Sequence, residues 1–173
     1  EICWSLVGSE MCIRDSCLTH PFIASHGYAC VRVDMRGNGD SDGIMEDEYT
    51  ESEINDGVEV INWLAAQIWC TGKVGMMGIS WGGFNSLQIA ERSPEPLKAI
   101  ITLCSTVDRY ADDIHYKGGC LLNENLGWGS TMWSYSSRPP DPMLVGDEWA
   151  TMWNKRLKAC LLYTSPSPRD SSK

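Results

Sequence analysis

Residues 73–83 read Lys-Val-Gly-Met-Met-Gly-Ile-Ser-Trp-Gly-Gly. The first seven form a compact apolar run of strand length, and an apolar pattern at helical spacing continues from Ser80 to Arg92. Gly78 and Gly82 stand two residues on either side of Ser80, giving G-x-S-x-G between a predicted strand and a predicted helix. Glycines at these positions let strand and helix approach closely around a strained serine. The pattern therefore predicts an exposed Ser80 at the carboxyl end of a strand.

The segments on both sides of this stretch alternate between strand and helix patterns. Residues 28–35 read as a strand, and residues 50–67 as a helix that opens with a capping box of Thr50 and Glu53. After two helix-breaking prolines, residues 97–103 form a third apolar strand. Strands separated by helices predict an α/β fold, a parallel sheet with helices on both faces.

The composition is typical of a soluble globular protein. The chain has 173 residues, of which 43% are apolar and 21% charged, enough for one domain with a core or two small ones. Its formal net charge of −9 argues against a nucleic-acid partner. Since no apolar run approaches the roughly 18 residues that a membrane span requires, we also expect no membrane partner.

Ser80 is the candidate catalytic nucleophile. The helix that follows it directs free N–H groups toward the same point, so the Trp81 N–H is the candidate oxyanion-hole donor. The Trp81 side chain is left free to line the substrate pocket. This chemistry requires neither a cofactor nor a metal, and none is predicted.

A serine nucleophile also needs an acid and a base, which follow it in the order Ser, Asp or Glu, His. His20 and His26 precede the serine, and we expect them to be solvated or capping groups. His115 comes soon after the third strand, whereas a catalytic histidine of this fold normally follows two further strands. Asp108 is interpreted as a salt-bridge or cap-anchoring residue rather than a displaced acid. Both the acid and the base are therefore expected beyond residue 159.

The loop after the first of these strands overlaps two other motifs. Residues 38–43 approach a calcium loop, with oxygen ligands at Asn38, Asp40 and Asp42, but Tyr49 occupies the position of the bidentate glutamate. The glycines of the loop fit a dinucleotide fingerprint poorly, because no helix begins there. A turn-rich connection explains the segment better.

Five separate segments form one joint pattern. They are Gly27-Tyr28-Ala29, the loop Asp34-Met35-Arg36-Gly37-Asn38-Gly39-Asp40-Ser41-Asp42-Gly43, the stretch 73–83, Asp108-Arg109-Tyr110-Ala111-Asp112-Asp113-Ile114-His115-Tyr116, and Arg138-Pro139-Pro140-Asp141-Pro142. Together they resemble the CocE/NonD hydrolases, which include cocaine-esterase and Xaa-Pro dipeptidyl-peptidase types. The resemblance implies a partial α/β-hydrolase fold with part of a helical cap, and a small-molecule ester or peptide as substrate. It places the family's serine at Ser80 and its backbone oxyanion donor at Trp81.

The two ends of the chain differ from the rest. Residues 11–15 show neither helical nor strand periodicity, and residues 165–170 form a low-complexity tail. Residues 5–16 and 160–170 can be encoded by codons that resemble the transposon-end adapter of short-read sequencing libraries. Adapter-encoded segments would not belong to the natural protein or its fold. The predicted organisation is adapter read-through at 1–16, a partial α/β-hydrolase core at 17–106, a partial helical cap at 107–159 and adapter read-through at 160–173.

Cysteine usage suits a reducing compartment. Five cysteines lie between residues 17 and 159, an odd number without a C-x-x-C pair. We expect Cys30 and Cys104, which lie in apolar runs, to be small buried hydrophobes rather than parts of a disulfide framework. The expected location is the cytoplasm.

The sequence thus predicts a serine hydrolase that cleaves ester, acyl-amide or Xaa-Pro bonds through an acyl-enzyme, with this chain a truncated and inactive fragment of it. The predicted cap contains four tryptophans that either pack its core or line an acyl pocket: Trp128, Trp133, Trp149 and Trp153. The alternative is a non-catalytic binding module of the same fold, which uses the acidic, Trp-rich cap to hold a ligand. The sequence does not predict an oligomeric state.

Overall fold

The computed structural model describes residues 3–6, 13–113 and 115–159. The chain divides into two compact units. The sheet unit contains the described residues of Glu1–Val33 and Glu48–Asn125, and the helical unit contains those of Asp34–Asp47 and Leu126–Lys173. Residues 7–12 and 160–173, both in segments predicted to be adapter-encoded, lie outside the described residues.

A parallel four-stranded sheet forms the centre of the sheet unit. Its strands are β1 (Cys3–Leu6), β2 (Ala29–Arg32), β3 (Val74–Ile79) and β4 (Leu97–Leu103), in the order β2-β1-β3-β4. All three neighbouring pairs are parallel. The three strands expected from the sequence are confirmed. The first is shorter than expected because the backbone from Asp34 onward bonds within its own loop, where Gly37 N–H donates to Asp42 O.

The first strand and the first helix extend into the segment predicted to be adapter-encoded. β1 pairs with β2 on one side and with β3 on the other, so it lies inside the sheet. Helix α1 (Ile13–Ser25) begins before residue 17. No strand was expected at β1, because residues 1–16 were taken as adapter-encoded and given no place in the predicted fold. The coding origin of residues 1–16 stays a prediction.

Two helices and the strands beside them build the core of the sheet unit. They are α2 (Glu51–Ala65) and α3 (Trp81–Glu91). The core contains six buried apolar residues: Ile54, Ile61 and Leu64 of α2, Val74 and Met76 of β3, and Ile89 of α3. A Cβ atom added to Gly57 would lie 2.3 Å from Ile89 Cδ1, so the Ile89 side chain of α3 packs directly against this glycine of α2. Thr50 caps α2 as predicted, because its side chain accepts a hydrogen bond from Glu53 N–H.

Strand β4 has exposed side chains on one face. Ile101 is 42% and Leu103 47% exposed, although both lie in an apolar run. The expectation that Cys104 is buried is wrong, because this residue continues the exposed end of an edge strand. Cys30, on the opposite edge strand β2, is half-buried, and burial raises the pKa of its thiol.

A short hairpin follows β4 in the sheet unit, and most of the helical unit comes after it. The hairpin strands are β5 (Tyr116–Lys117) and β6 (Cys120–Leu121), and the helices that follow are α4 (Glu124–Ser136), α5 (Pro142–Val145) and α6 (Trp149–Ala159). Trp149 stacks on Trp153, whose Nε1 donates to Ser137 O at 2.8 Å. These contacts favour core packing for that pair of tryptophans. None of the helices in the described part of the chain has the length and apolar character needed to cross a membrane.

Candidate functional site

Ser80 occupies a sharp turn between strand β3 and helix α3. Its φ of 53° and ψ of −115° lie where a residue with a side chain is strained. The Ser80 N–H donates to Leu103 O at 2.8 Å, and Ser80 O accepts from Phe84 N–H at 2.9 Å. The backbone of the turn is therefore held from the neighbouring strand and from the first turn of the helix.

The flanking glycines make this turn possible. A Cβ atom on Gly78 would lie 2.2 Å from the carbonyl carbon and oxygen of Gly82. A Cβ atom on Gly83 would lie 2.9 Å from both Leu103 O and Ser105 Oγ. Strand and helix are in backbone contact around Ser80, which is the arrangement that the G-x-S-x-G spacing predicts.

The Trp81 side chain is buried in the core rather than free to line a pocket. The residue is only 1% exposed, and its indole Nε1 donates to Glu53 Oε1 at 2.8 Å. Burial beside a carboxylate satisfies the polar edge of the ring while its apolar faces remain in the core. The backbone N–H of Trp81 is at the first position of α3, where helical N–H groups have no intrahelical acceptor.

Glu53 connects three parts of the sheet unit through one half-buried carboxylate. Oε1 accepts from Trp81 Nε1 and, at 2.6 Å, from Asn85 Nδ2 of α3. Oε2 accepts from Tyr49 N–H at 2.6 Å, in the segment before α2. Burial raises the pKa of Glu53, and the hydrogen bonds from Asn85, Tyr49 and Trp81 offset part of this effect. The sequence indicated only the capping role of Glu53, because nothing local reveals contacts 28 and 32 positions away.

An aromatic pair and an arginine pack beside this carboxylate. The Arg109 guanidinium lies 4.2 Å from the centroid of the Tyr49 ring and 3.8 Å from that of Phe84. The Tyr49 ring also packs against Trp81, with centroids 5.9 Å apart. Burial raises the pKa of Tyr49 to about 12 despite a hydrogen bond from Arg109. Tyr49 is thus a neutral, packed group at ordinary pH, and the Arg109 cation is stacked on its ring and on that of Phe84.

The other residues considered from the sequence occupy turns and helix ends. Asp108 Oδ1 accepts from the N–H groups of Tyr110 and Ala111, at 3.1 and 3.0 Å, so it caps the following turn. His26 Nδ1 lies 2.8 Å from Phe22 O at the end of α1, in keeping with the expected capping role. His115 lies before the β5–β6 hairpin, where its carbonyl accepts from Leu122 N–H.

His20 has a different environment from the other histidines. It lies in α1, where burial and the nearby charge of Arg32 lower its pKa. The imidazole is therefore neutral over a wider pH range than a solvated histidine. The expectation of a solvated or capping group does not describe this side chain.

In the helical unit, two motifs about a hundred residues apart meet. Asp34 Oδ2 accepts from Asp40 N–H at 3.0 Å, and Asp40 Oδ1 accepts from Asp141 N–H at 2.7 Å. Arg156 Nη1 and Nη2 donate to Gly39 O and Ser41 O at 2.8 and 2.7 Å. The loop carboxylates of Asp34 and Asp40 therefore organise backbone turns. Arg156 was missed in the sequence, since a basic residue in the last turn of a helix usually interacts with the helix dipole and solvent.

Comparisons with known proteins agree with this architecture. The profile of the X-Pro dipeptidyl-peptidase (S15 family) matches residues 8–167. A Mycobacterium bovis protein, provisionally named a serine esterase, is 35% identical over 112 residues, covering 65% of this chain and 17% of that protein. Cocaine esterase of Rhodococcus sp. (strain MB1 Bresler) is 34% identical over 105 residues, covering 60% of this chain and 18% of the esterase.

A solved structure also matches the fold of this chain. The crystal structure of a CocE/NonD family hydrolase from Staphylococcus aureus matches with a TM-score of 0.54 and 26% identity, covering 72% of this chain and 24% of that one. The chain thus spans less than a quarter of the length of each of these relatives. The expected α/β-hydrolase fold and the resemblance to CocE/NonD hydrolases are confirmed. With a parallel sheet of that fold and a family match over nearly its whole length, the chain belongs to the X-Pro dipeptidyl-peptidase (S15) family of hydrolases.

Proposed function

We propose that Ser80 is the nucleophile of a serine hydrolase that cleaves ester or acyl-amide bonds, including Xaa-Pro bonds. The observation that carries this proposal is the backbone of Ser80, with φ 53° and ψ −115° between a parallel strand and a helix. Backbone strain of this kind persists only where the surroundings hold it in place. Leu103 O and Phe84 N–H hold it here. The cocaine esterase among the relatives and the match to the X-Pro dipeptidyl-peptidase family support the two substrate classes.

The proposed reaction follows the acyl-enzyme route. Ser80 Oγ attacks the carbonyl carbon while a histidine accepts its proton, and the oxygen of the tetrahedral intermediate takes the negative charge. The N–H of Trp81 donates to that oxygen. Collapse of the intermediate expels the alcohol or amine, which takes the proton from the histidine, and water then hydrolyses the acyl-Ser80 ester by the same steps. We place the acid and the histidine beyond residue 159 and the second oxyanion donor before residue 17.

The chain by itself is proposed to be an inactive fragment. A serine without its base is a poor nucleophile, and loss of a single oxyanion donor in such enzymes lowers kcat by about 10² to 10³. The proposed fragment lacks both. It would react only slowly, and only with strong acylating agents.

The test uses the complete reading frame, recovered from the source DNA and expressed as a folded protein. A fluorophosphonate probe should label the wild type and fail to label Ser80→Ala. Ser93→Ala is the matched control, because Ser93 is an exposed serine that also has a positive φ, of 51°, but stands in no strand-to-helix turn. Labelling that persists in Ser80→Ala, or is absent from the folded wild type, would contradict the proposal. In the second case the non-catalytic binding module becomes the better interpretation.

The same reading frame tests the proposed origin of the ends. We propose that residues 1–16 and 160–173 are adapter read-through, so a library prepared without that adapter should give different residues there. A different strand would then occupy the position of β1 between β2 and β3. Recovery of these same end segments, continuous with further coding sequence, would contradict this origin.

The proposed cytoplasmic location is supported by the free thiols of Cys30, Cys70, Cys104 and Cys120. An export signal at the start of the recovered reading frame would contradict it.

A further inference from the structure

We infer that Glu53 is a positioning residue for the proposed reaction: its carboxylate holds the first turn of α3, and with it the Trp81 N–H, in the orientation that an oxyanion on the substrate requires. The inference rests on the proposed roles of Ser80 and Trp81. It assigns to Glu53 no contact with substrate and no transfer of a proton.

The first step of the argument is the convergence of three donors on one carboxylate. Oε1 accepts from Trp81 Nε1 at 2.8 Å and from Asn85 Nδ2 at 2.6 Å, and both donors belong to α3. Trp81 and Asn85 are four positions apart, so they lie on the same face of the helix, one turn apart. A single oxygen therefore bridges the first two turns of the helix that follows Ser80.

The second step is that the carboxylate is itself fixed. Its backbone belongs to the first turn of α2, and its second oxygen accepts from Tyr49 N–H at 2.6 Å. The Tyr49 ring packs on Trp81 and Phe84, and Arg109 lies against the rings of Tyr49 and Phe84. A shift of Glu53 would disturb these packed groups. The position of Oε1 is therefore fixed, and it can hold α3 in place.

The third step is that helix capping alone does not explain this environment. A capping-box glutamate needs only one oxygen near the backbone and works when it is solvated. Glu51, in the same turn of α2, is an example of an exposed carboxylate, paired with Arg92 at 2.6 Å. Glu53 instead is half-buried, and burial raises its pKa. The contacts of Oε1 with α3 are the feature that distinguishes Glu53 from Glu51.

The three donors favour the ionised form of Glu53, whereas burial opposes it and raises its pKa. The indole, the amide nitrogen and the backbone group are all N–H donors, and an ionised carboxylate is an acceptor at both oxygens. Of the charged and titratable groups around it, Glu48 raises its pKa, Tyr49 is neutral, and Arg109 is stacked on Tyr49. Protonation of Glu53 would replace an acceptor by an O–H donor and loosen the contact. We expect this to lower kcat as the pH falls through the pKa of Glu53.

The experiment compares Glu53→Ala, Glu53→Gln and the control Glu51→Ala in the complete, folded enzyme. The readouts are kcat and KM for a 4-nitrophenyl ester over a range of pH. Glu53→Ala should lower kcat about tenfold to a hundredfold with KM unchanged, as expected when a donor to the transition state is displaced. Glu51→Ala should change neither constant. Glu53→Gln keeps an acceptor oxygen for α3, so it should retain more kcat than the alanine variant and lose the part of the acid limb due to Glu53.

A fourth variant separates positioning from simple stability. Trp81→Phe keeps an aromatic ring but removes the indole N–H, so it should lower kcat, and combining it with Glu53→Gln should lower kcat by less than the product of the two effects. If Glu53→Ala or Glu53→Gln lowers the unfolding temperature while the folded fraction keeps its wild-type kcat and pH profile, the inference is overturned and the proposed function stands. If the folded wild type is not labelled by the fluorophosphonate, the proposed function fails, and the inference fails with it.

Discussion

The turn at Ser80 in the sheet unit and the loop of Asp34–Asp47 in the helical unit both carry motifs of the family, but they are held in different ways. Gly78 and Gly82, only four positions apart, shape the Ser80 turn by backbone contact. Asp141 and Arg156, at sequence separations of 101 to 117, hold the loop by hydrogen bonds. Steric requirements between residues close in sequence produce a recognisable spacing of residue types. Hydrogen bonds from residues distant in sequence produce no such spacing.

The largest loss of stability is expected at the Ser80 turn, where the constraint is steric. Gly78→Ala places a Cβ atom 2.2 Å from the Gly82 backbone, which no side-chain rotation relieves. We expect the free energy of unfolding to fall by about 3 kcal/mol or more, together with loss of fluorophosphonate labelling. Gly129→Ala is the control. It lies in α4 with nothing within 4 Å of the added atom, and should raise stability by about 0.5 to 1 kcal/mol. Urea unfolding measures both, and equal effects would remove the steric distinction.

Loss of the buried polar side chain of Arg156 should have the second-largest effect on stability. Arg156 is 7% exposed and donates to Gly39 O and Ser41 O. Arg156→Met leaves these carbonyls without their donor and should lower the free energy of unfolding by about 3 kcal/mol. Arg92→Met, which breaks an exposed pair with Glu51, should lower it by only about 0.5 kcal/mol. Similar urea midpoints for the two variants would contradict the anchoring role of Arg156.

A capping residue of the helical unit should have a smaller effect. Asp141 Oδ1 accepts from Met143 N–H at 2.8 Å at the start of α5. Asp141→Ala removes that acceptor but keeps the Asp141 N–H bond to Asp40, so about 1 kcal/mol of stability should be lost. Asp141→Asn, which keeps an acceptor oxygen, is the matched variant and should restore most of it. Thermal unfolding of the two variants under the same conditions decides this prediction.

The smallest expected effect is a pH dependence from the sheet unit. Because burial raises the pKa of Glu53 above its value in the unfolded chain, its contribution to stability is complete below the unfolded pKa and is lost as the pH rises through the folded pKa. Glu53→Gln does not titrate at this position. The free energy of unfolding of the wild type, relative to that of the glutamine variant, should therefore fall over this pH interval. A constant or rising difference would contradict the raised pKa.

Most of the sheet unit could be predicted from local patterns. Strands β3 and β4 and helices α2 and α3 match the expected segments closely, because apolar periodicity, capping residues and glycine spacing all indicate the same elements. β1 was not expected, because residues 1–16 were taken as adapter-encoded, yet it pairs with β2 and β3 inside the sheet. The exposure of Cys104 was missed because an apolar run does not reveal that its strand lies at an edge.

In the candidate site, too, the features set by local sterics were expected and the contacts between distant segments were not. Ser80 and the glycines around it were expected, because a strained turn in backbone contact admits few residue types. The burial of Trp81 and its bond to Glu53 were not expected, since a tryptophan after the serine is compatible with either a pocket or a core. Arg156 gave no signal at all, because its acceptors are backbone carbonyls, which every residue carries.

The sequence by itself determined the strand–serine–helix turn and the alternation of strands and helices. It also determined the resemblance to the CocE/NonD hydrolases. These depend on spacings of a few residues, where sterics restrict the choice of side chain. Only the tertiary structure decided that Glu53 meets Trp81 and Asn85, and that Arg156 anchors the loop containing Gly39 and Ser41. The physical reason is that hydrogen bonds between distant segments depend on where the packed chain brings a donor and an acceptor together, and many sequences place the same groups elsewhere.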